Sequence, residues 1–114
     1  MNIVISSQGQ SLDSPIDYRF GRSAWFIQYN TAEKTCTGVS NPGGQQSGGA
    51  GVAAAQFVID QGVDAAISGD FGPHAANALR AAGVKMYLFA GDLTNVQSAV
   101  DQFIAGALPA FDPE

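Results

Sequence analysis

The chain holds one cysteine, Cys36, and one histidine, His74. A lone cysteine excludes an intrachain disulfide, and the two together are too few for a zinc site of thiolate and imidazole ligands. A tightly held metal must therefore bring its own ligands. Charge is also scarce. Only 13% of residues are charged, five basic side chains (Arg19, Arg22, Lys34, Arg80, Lys85) face ten acidic ones, and the formal net charge is -5. No basic run is available to displace counterions from a phosphate backbone, so nucleic acid is a poor partner. No apolar run approaches the ~20 residues that cross a bilayer, and the opening MNIVISSQGQ lacks the basic flank and apolar stretch of a signal peptide. A cytoplasmic protein without a membrane partner is the expectation.

What the chain does have is apolar bulk. It has 114 residues, 46% of them hydrophobic, which suits one domain over residues 1–114 and a sheet covered on both faces. Residues 2–6 are a β-branched run expected to form a doubly buried strand. A Gly, Ser, Asp and Pro-rich segment follows to about Ser23, and an irregular connection that long is more often functional than idle. AWFIQYN at 24–30 and TCTGVS at 35–40 read as a hairpin, and a small buried thiol is the commoner role for Cys36 within it.

Six of the eleven residues in NPGGQQSGGAG, 41–51, are Gly or Pro, which predicts no regular structure there. The loop empties into a helix predicted over 50–61 and closed by Gly62. A strand at 63–68 leads to Pro73 at the favoured first position of a helix over 73–82, closed by Gly83. The last strand is predicted over 84–90. Thr94 with Gln97 suggests a capping box for a final helix whose apolar stripe is Val96, Ala99, Val100, Phe103, Ile104 and Ala107. The order β, loop, β-hairpin, α, β, α, β, α implies a mixed five-stranded sheet with helices on its faces.

In such sheets ligands gather beyond the carboxyl ends of the parallel strands. Three segments are candidates: Asp17-Tyr18-Arg19-Phe20-Gly21-Arg22, the glycine loop, and Gly69-Asp70-Phe71-Gly72-Pro73-His74. The glycine loop is either an anion cradle, offering backbone N–H groups and a helix dipole, or a plain tether. Arg19 and Arg22 are the best side-chain anion hooks, unless they pair with Asp13 or Asp17. His74 could donate to an anion, ligate a soft metal, or simply finish a helix end. Gly49 to Ala54 fits G-x-G-x-x-A, but about nine irregular residues separate it from Ser40, where a dinucleotide fingerprint needs a tight turn. Asp13, Asp17 and Asp70 could in principle hold magnesium for phosphoryl transfer, although solvated turn residues are the simpler reading of all three.

RFGRSAWFIQYN at 19–30, Asn41 before the glycine loop and Gly48-Gly49-Ala50-Gly51 entering an alanine-rich helix form the first half of a pattern. Gly62-Val63-Asp64, Ile67-Ser68-Gly69, Gly72-Pro73 and Gly83-Val84-Lys85-Met86-Tyr87 continue it, so that order and spacing over about residues 2–108 resemble the dinitrogenase iron-molybdenum cofactor biosynthesis family. The resemblance implies a ribonuclease-H-like three-layer α/β/α fold and a protein that binds or delivers iron-molybdenum cofactor or its precursors without transforming them, hence no enzyme. Carried over by position, the cofactor-binding candidates are Arg19, Phe20, Gly21, Arg22, Asn41, Gly48, Gly49, Ala50, Gly51, Gly72 and Pro73, joined by His74.

The resemblance also implies that a stand-alone, nearly cysteine-free member holds a molybdenum-containing sulfide cluster noncovalently, a molybdenum-copper sulfide being its narrower form. The expected partners are that anionic cluster and other metallocluster assembly proteins. The only soft ligands are Cys36, His74, Met1 and Met86, which argues against capture of bare iron or molybdenum. A magnesium-dependent phosphoryl-transfer enzyme and a protein-interaction module in metallocluster assembly are the alternatives.

Overall fold

Ile3 to Ser7 are buried without interruption, and they make the middle of the sheet. A computed structural model describes residues 1–45, 48–91 and 93–112, so residues 46 and 47 of the glycine loop and the acidic end at 113–114 lie outside the described residues. The strands are β1 (Asn2–Ser7), β2 (Trp25–Asn30), β3 (Thr35–Ser40), β4 (Ala65–Ser68), β5 (Lys85–Leu88) and β6 (Ala110–Phe111). The helices are α1 (Ala50–Asp60), α2 (Pro73–Ala81) and α3 (Val96–Ile104).

The sheet order is β3-β2-β1-β4-β5-β6. β1, β4 and β5 run parallel, β2 is antiparallel to β1 and β3, and β6 is antiparallel to β5. Alternation along the strands divides the apolar side chains between two cores. Val4, Phe26, Ala66 and Met86 pack with α1 and α2 on one face, while Ile3, Ile5, Ile27 and Ile67 pack with α3 on the other. Each fully buried Ile, Val or Phe stabilises the layers by about 1.5–3 kcal/mol, and this double cover accounts for the apolar composition.

Among the described residues the sheet has six strands, not five. β6 is two residues long and follows Pro109, whose carbonyl accepts from Leu88 N at 2.9 Å, so pairing and not an apolar run defines it. Gly106 at φ 74° turns the chain out of α3. The predicted stripe accordingly stops early: Val96, Ala99 and Val100 are buried, but Ile104 is 58% exposed and Ala107 lies past the helix.

The α3 cap also sits one residue later than predicted. Asn95 Oδ1 accepts from Ser98 N at 2.9 Å, and Ser98 Oγ accepts from Asn95 N at 3.3 Å. Thr94 is held by the long loop instead, its carbonyl accepting from Ile16 N at 3.2 Å. Cys36 is exposed rather than buried, because it lies on β3, an edge strand with a polar sequence. Pro42–Gln45 forms one turn of 3-10 helix where no regular structure was predicted. Asn41 organises it, with Oδ1 accepting from Gly43 N at 2.9 Å and its carbonyl from Gly44 N at 3.2 Å. Among the described residues no helix is long and apolar enough to cross a membrane.

Candidate functional site

The carboxyl ends of β1 and β4 are joined by a hydroxyl pair. Ser6 Oγ donates to the Asp17 carbonyl at 2.6 Å and shares a hydrogen bond with Ser68 Oγ at 2.8 Å. Asp17 N donates back to the Ser6 carbonyl at 3.0 Å, and Arg19 forms a parallel bridge with Asp70. The arginine loop is thus sewn across the strand ends beside the turn that leads into α2. Gly69 makes this approach possible, since a Cβ there would stand 2.7 Å from Tyr18 Cα.

The Asp17 side chain is 7% exposed and that of Arg19 66%. The carboxylate accepts from Arg19 N at 2.9 Å, Nε at 3.1 Å and Nη2 at 3.0 Å. The hydrogen bond and charge of Asp17 hold the Arg19 guanidinium above its ordinary pKa, against a smaller desolvation effect. Arg19 therefore stays cationic, but a carboxylate already shares its charge. The predicted pairing of an arginine with Asp17 is present for Arg19.

Three segments separate in sequence line one cleft of ≈ 440 Å³: Arg19 to Arg22, Gly49 to Val52, and Asp70 with Gly72 to Ala75. The size lies within the usual range of small-ligand sites. Two helices begin in this cleft. Gly49 precedes α1 and Gly72 precedes α2, neither helix has a side-chain cap, and neither has an acid in its first turn. The first intrahelical donors are Ala53 N in α1 and Ala76 N in α2, so the amides of Ala50, Gly51, Val52, His74 and Ala75 lie ahead of the hydrogen-bonded ladder. Each start carries roughly half a positive charge. α3, which begins elsewhere, has its reciprocal cap.

Phe20 is 1% exposed, and its ring packs 5.2 Å from Phe26 and 5.1 Å from Phe71, so it forms a rigid floor. Gly21 lies against α1: a Cβ there would come 2.9 Å from both N and Cα of Gly51. Gly51 in turn faces α2, where an added Cβ would meet Ala75 Cβ at 3.4 Å. Among the described residues Asp70 is the one carboxylate lining this cleft, and it opposes an anion.

Of the twelve predicted contact residues, ten line the cleft; Asn41 and Gly48 do not. Asn41 is 3% exposed and its amide is occupied by backbone groups, while Gly48 stands in open space. His74 supplies the only imidazole in the cleft. Cys36 lies on β3 and Met86 in the core, and neither lines this cleft. Among the described residues no group of three or more His, Cys, Asp or Glu side chains could hold a metal ion, so Asp13, Asp17 and Asp70 do not assemble a magnesium site. The arrangement suits a ligand with negative charge and its own metal bonds.

A neighbouring cleft of ≈ 660 Å³ shares Arg19 and Arg22 and adds Gln8, Pro15, Ile16, Tyr18, Leu93 and Thr94. The sequence pattern missed this second wall, although Leu93 and Thr94 follow β5, the third parallel strand, where the same topological rule would have pointed. It contains the Asp17 carboxylate and the start of neither α1 nor α2, so the smaller cleft is the better anion site.

A family model described as dinitrogenase iron-molybdenum cofactor matches residues 1–106. The orange protein of Desulfovibrio gigas, solved in its apo form, is 36% identical, with 96% of this chain and 92% of that one covered and a TM-score of 0.89. A candidate NifB protein from Thermotoga is 34% identical, with 96% and 91% covered and a TM-score of 0.81. A candidate dinitrogenase from Methanocaldococcus jannaschii, 17% identical over 100% and 97% of the two chains, has a TM-score of 0.72 and supports the fold alone. No curated protein matches the chain. With residues 1–106 matched by the family model, the chain belongs to the dinitrogenase iron-molybdenum cofactor family.

Proposed function

We propose that this protein carries a preassembled, anionic, molybdenum-containing sulfide cluster, noncovalently and without transforming it, in the cleft between the arginine loop and the starts of α1 and α2. The carrying observation is that both helices beginning in this cleft lack side-chain caps, while the helix beginning elsewhere has one. Backbone N–H groups and the guanidinium groups of Arg19 and Arg22 are donors suited to sulfide surfaces, and a single imidazole is too little to chelate a bare metal. Family membership and the likeness to the orange protein support a metallocluster as cargo. A molybdenum-copper sulfide is the narrower form we favour, with other metallocluster assembly proteins as its source or destination.

The strand order β3-β2-β1-β4-β5, with β2 antiparallel to its neighbours, is the basis on which we assign a ribonuclease-H-like class, β6 being an addition at the edge. That class includes phosphoryl-transfer enzymes, but a magnesium-dependent reaction would need a carboxylate group that the described residues do not form. The test is anaerobic loading with tetrathiomolybdate, alone and with copper, followed by gel filtration and elemental analysis. Molybdenum should co-elute in near-equimolar amount with visible charge-transfer absorption. Colourless, metal-free protein after both loadings would remove the proposal.

A further inference from the structure

Asn41 matches the family pattern, yet the cleft does not use it as a lining residue. It follows the last residue of β3, and its N–H continues the pairing by donating to the Ala24 carbonyl at 3.0 Å. Its buried side-chain amide faces the turn that carries Arg22: Nδ2 lies 2.9 Å from the Ser23 carbonyl, 3.2 Å from the Phe20 carbonyl, 3.2 Å from Ser23 Oγ and 3.4 Å from the Gly21 carbonyl. Two N–H groups thus serve a converging set of acceptors on both sides of Arg22. Oδ1 accepts from Gly43 N at 2.9 Å, on the 3-10 turn.

That turn presses on α1. A Cβ on Gly43 would overlap the Ala50 carbonyl and stand 3.0 Å from the Gly21 carbonyl, and one on Gly21 would reach Gly51. Three backbones meet here through glycines, and the Asn41 side chain bonds two of them together. Aspartate at this position could still accept from Gly43 N but would turn a negative charge toward the carbonyls of Phe20 and Ser23.

We infer that Asn41 is a positioning residue: it fixes the arginine turn against the start of α1 and so sets where the Arg22 guanidinium stands relative to the first-turn amides. This rests on the carrier function proposed above and adds to it a residue that touches no guest.

The test is a double-mutant cycle on the intact chain, with tetrathiomolybdate as probe and thermal unfolding measured in parallel. Arg22→Ala should weaken binding about tenfold, the scale of one hydrogen bond to a charged group. Asn41→Ala should cause a similar loss, and the double variant should be little weaker than Arg22→Ala alone. Losses that multiply, to about a hundredfold, would show Asn41 acting independently of Arg22 and overturn the inference. An Arg22→Ala variant that binds normally would overturn the carrier site as well, so the two failures are distinguishable.

Should Asn41→Ala not fold, the unmodified protein supplies the answer by NMR. The Asn41 Nδ2 protons should exchange slowly both with and without tetrathiomolybdate, whereas the amides of Ala50 and Gly51 gain protection only on loading. Fast exchange at Nδ2, or protection gained there on loading, would make Asn41 a contact residue and overturn the positioning role.

Discussion

Gly21 lies against Gly51 so closely that a methyl group on Gly21 would stand 2.9 Å from the Gly51 nitrogen. The loop bearing Arg19 and Arg22 and the first turn of α1 are thereby one packed unit, held by backbone contact that a larger residue cannot enter. Gly21→Ala is expected to force them apart, with destabilisation of about 1–3 kcal/mol and a loss of anion affinity larger than that of Arg22→Ala. Denaturant unfolding and anaerobic titration with tetrathiomolybdate check both parts.

Arg19 is expected to contribute only modestly to anion binding. It lines both clefts, as Arg22 does, and its guanidinium is already bound to Asp17. Arg19→Ala should weaken tetrathiomolybdate binding by less than about tenfold, the scale of one hydrogen bond to a charged group. Because its guanidinium is raised above the ordinary value, Arg19 contributes at every pH below that value and is lost only at higher, strongly alkaline pH. Binding titrations at pH 6 and pH 9 should therefore show the same Arg19→Ala effect.

Stability and binding should trade against each other at Gly72. Its φ of -64° and ψ of 158° are those of an ordinary N-cap, and a side chain there would meet nothing within 4 Å. Gly72→Asp should cap α2 and raise stability by about 0.5–1 kcal/mol, through both the cap and the helix dipole. The same carboxylate should oppose the cluster and abolish tetrathiomolybdate retention. Gly72→Asn, capping without charge, should keep more of the affinity, and calorimetry with titration of both variants separates the two effects.

Asp70 distinguishes carriage from phosphoryl transfer. Among the described residues it is the one carboxylate lining the cleft, so if an anion binds there Asp70→Asn should tighten tetrathiomolybdate binding about two- to fivefold, the scale of one exposed charge pair. A metal-dependent hydrolase using Asp70 would instead lose activity in that variant. Titration alongside a phosphodiesterase assay with magnesium gives both answers.

Much of the fold was written in local pattern. The β-branched run at β1, the hairpin, Gly62 and Gly83 at the ends of α1 and α2, and Pro73 at the start of α2 all appear where periodicity and turn chemistry put them. What sequence patterns left out depends on contacts between distant segments. The α3 cap moved to Asn95 because residues 12–16 bond to the α3 entrance, with Leu12 and Ser14 carbonyls accepting from Gln97 N and Val96 N. β6 exists only through its pairing with β5, and Cys36 is exposed on the edge strand β3.

At the site, the residue types and the gathering of three loops followed from topology. Two details did not: Asn41 is occupied from beneath, and Leu93 with Thr94 builds a second wall. Each depends on a side chain's partner across the fold, which one-dimensional spacing does not encode.

If the proposed carrier function holds, amides and guanidinium groups grip a guest whose metal bonds are all its own. X-ray absorption at the molybdenum edge of protein loaded anaerobically with tetrathiomolybdate and copper tests it most directly. The expected spectrum has sulfur and metal neighbours only, unchanged in His74→Ala and Cys36→Ser variants. A nitrogen neighbour at bonding distance that disappears in His74→Ala, or a thiolate contribution lost in Cys36→Ser, would contradict it.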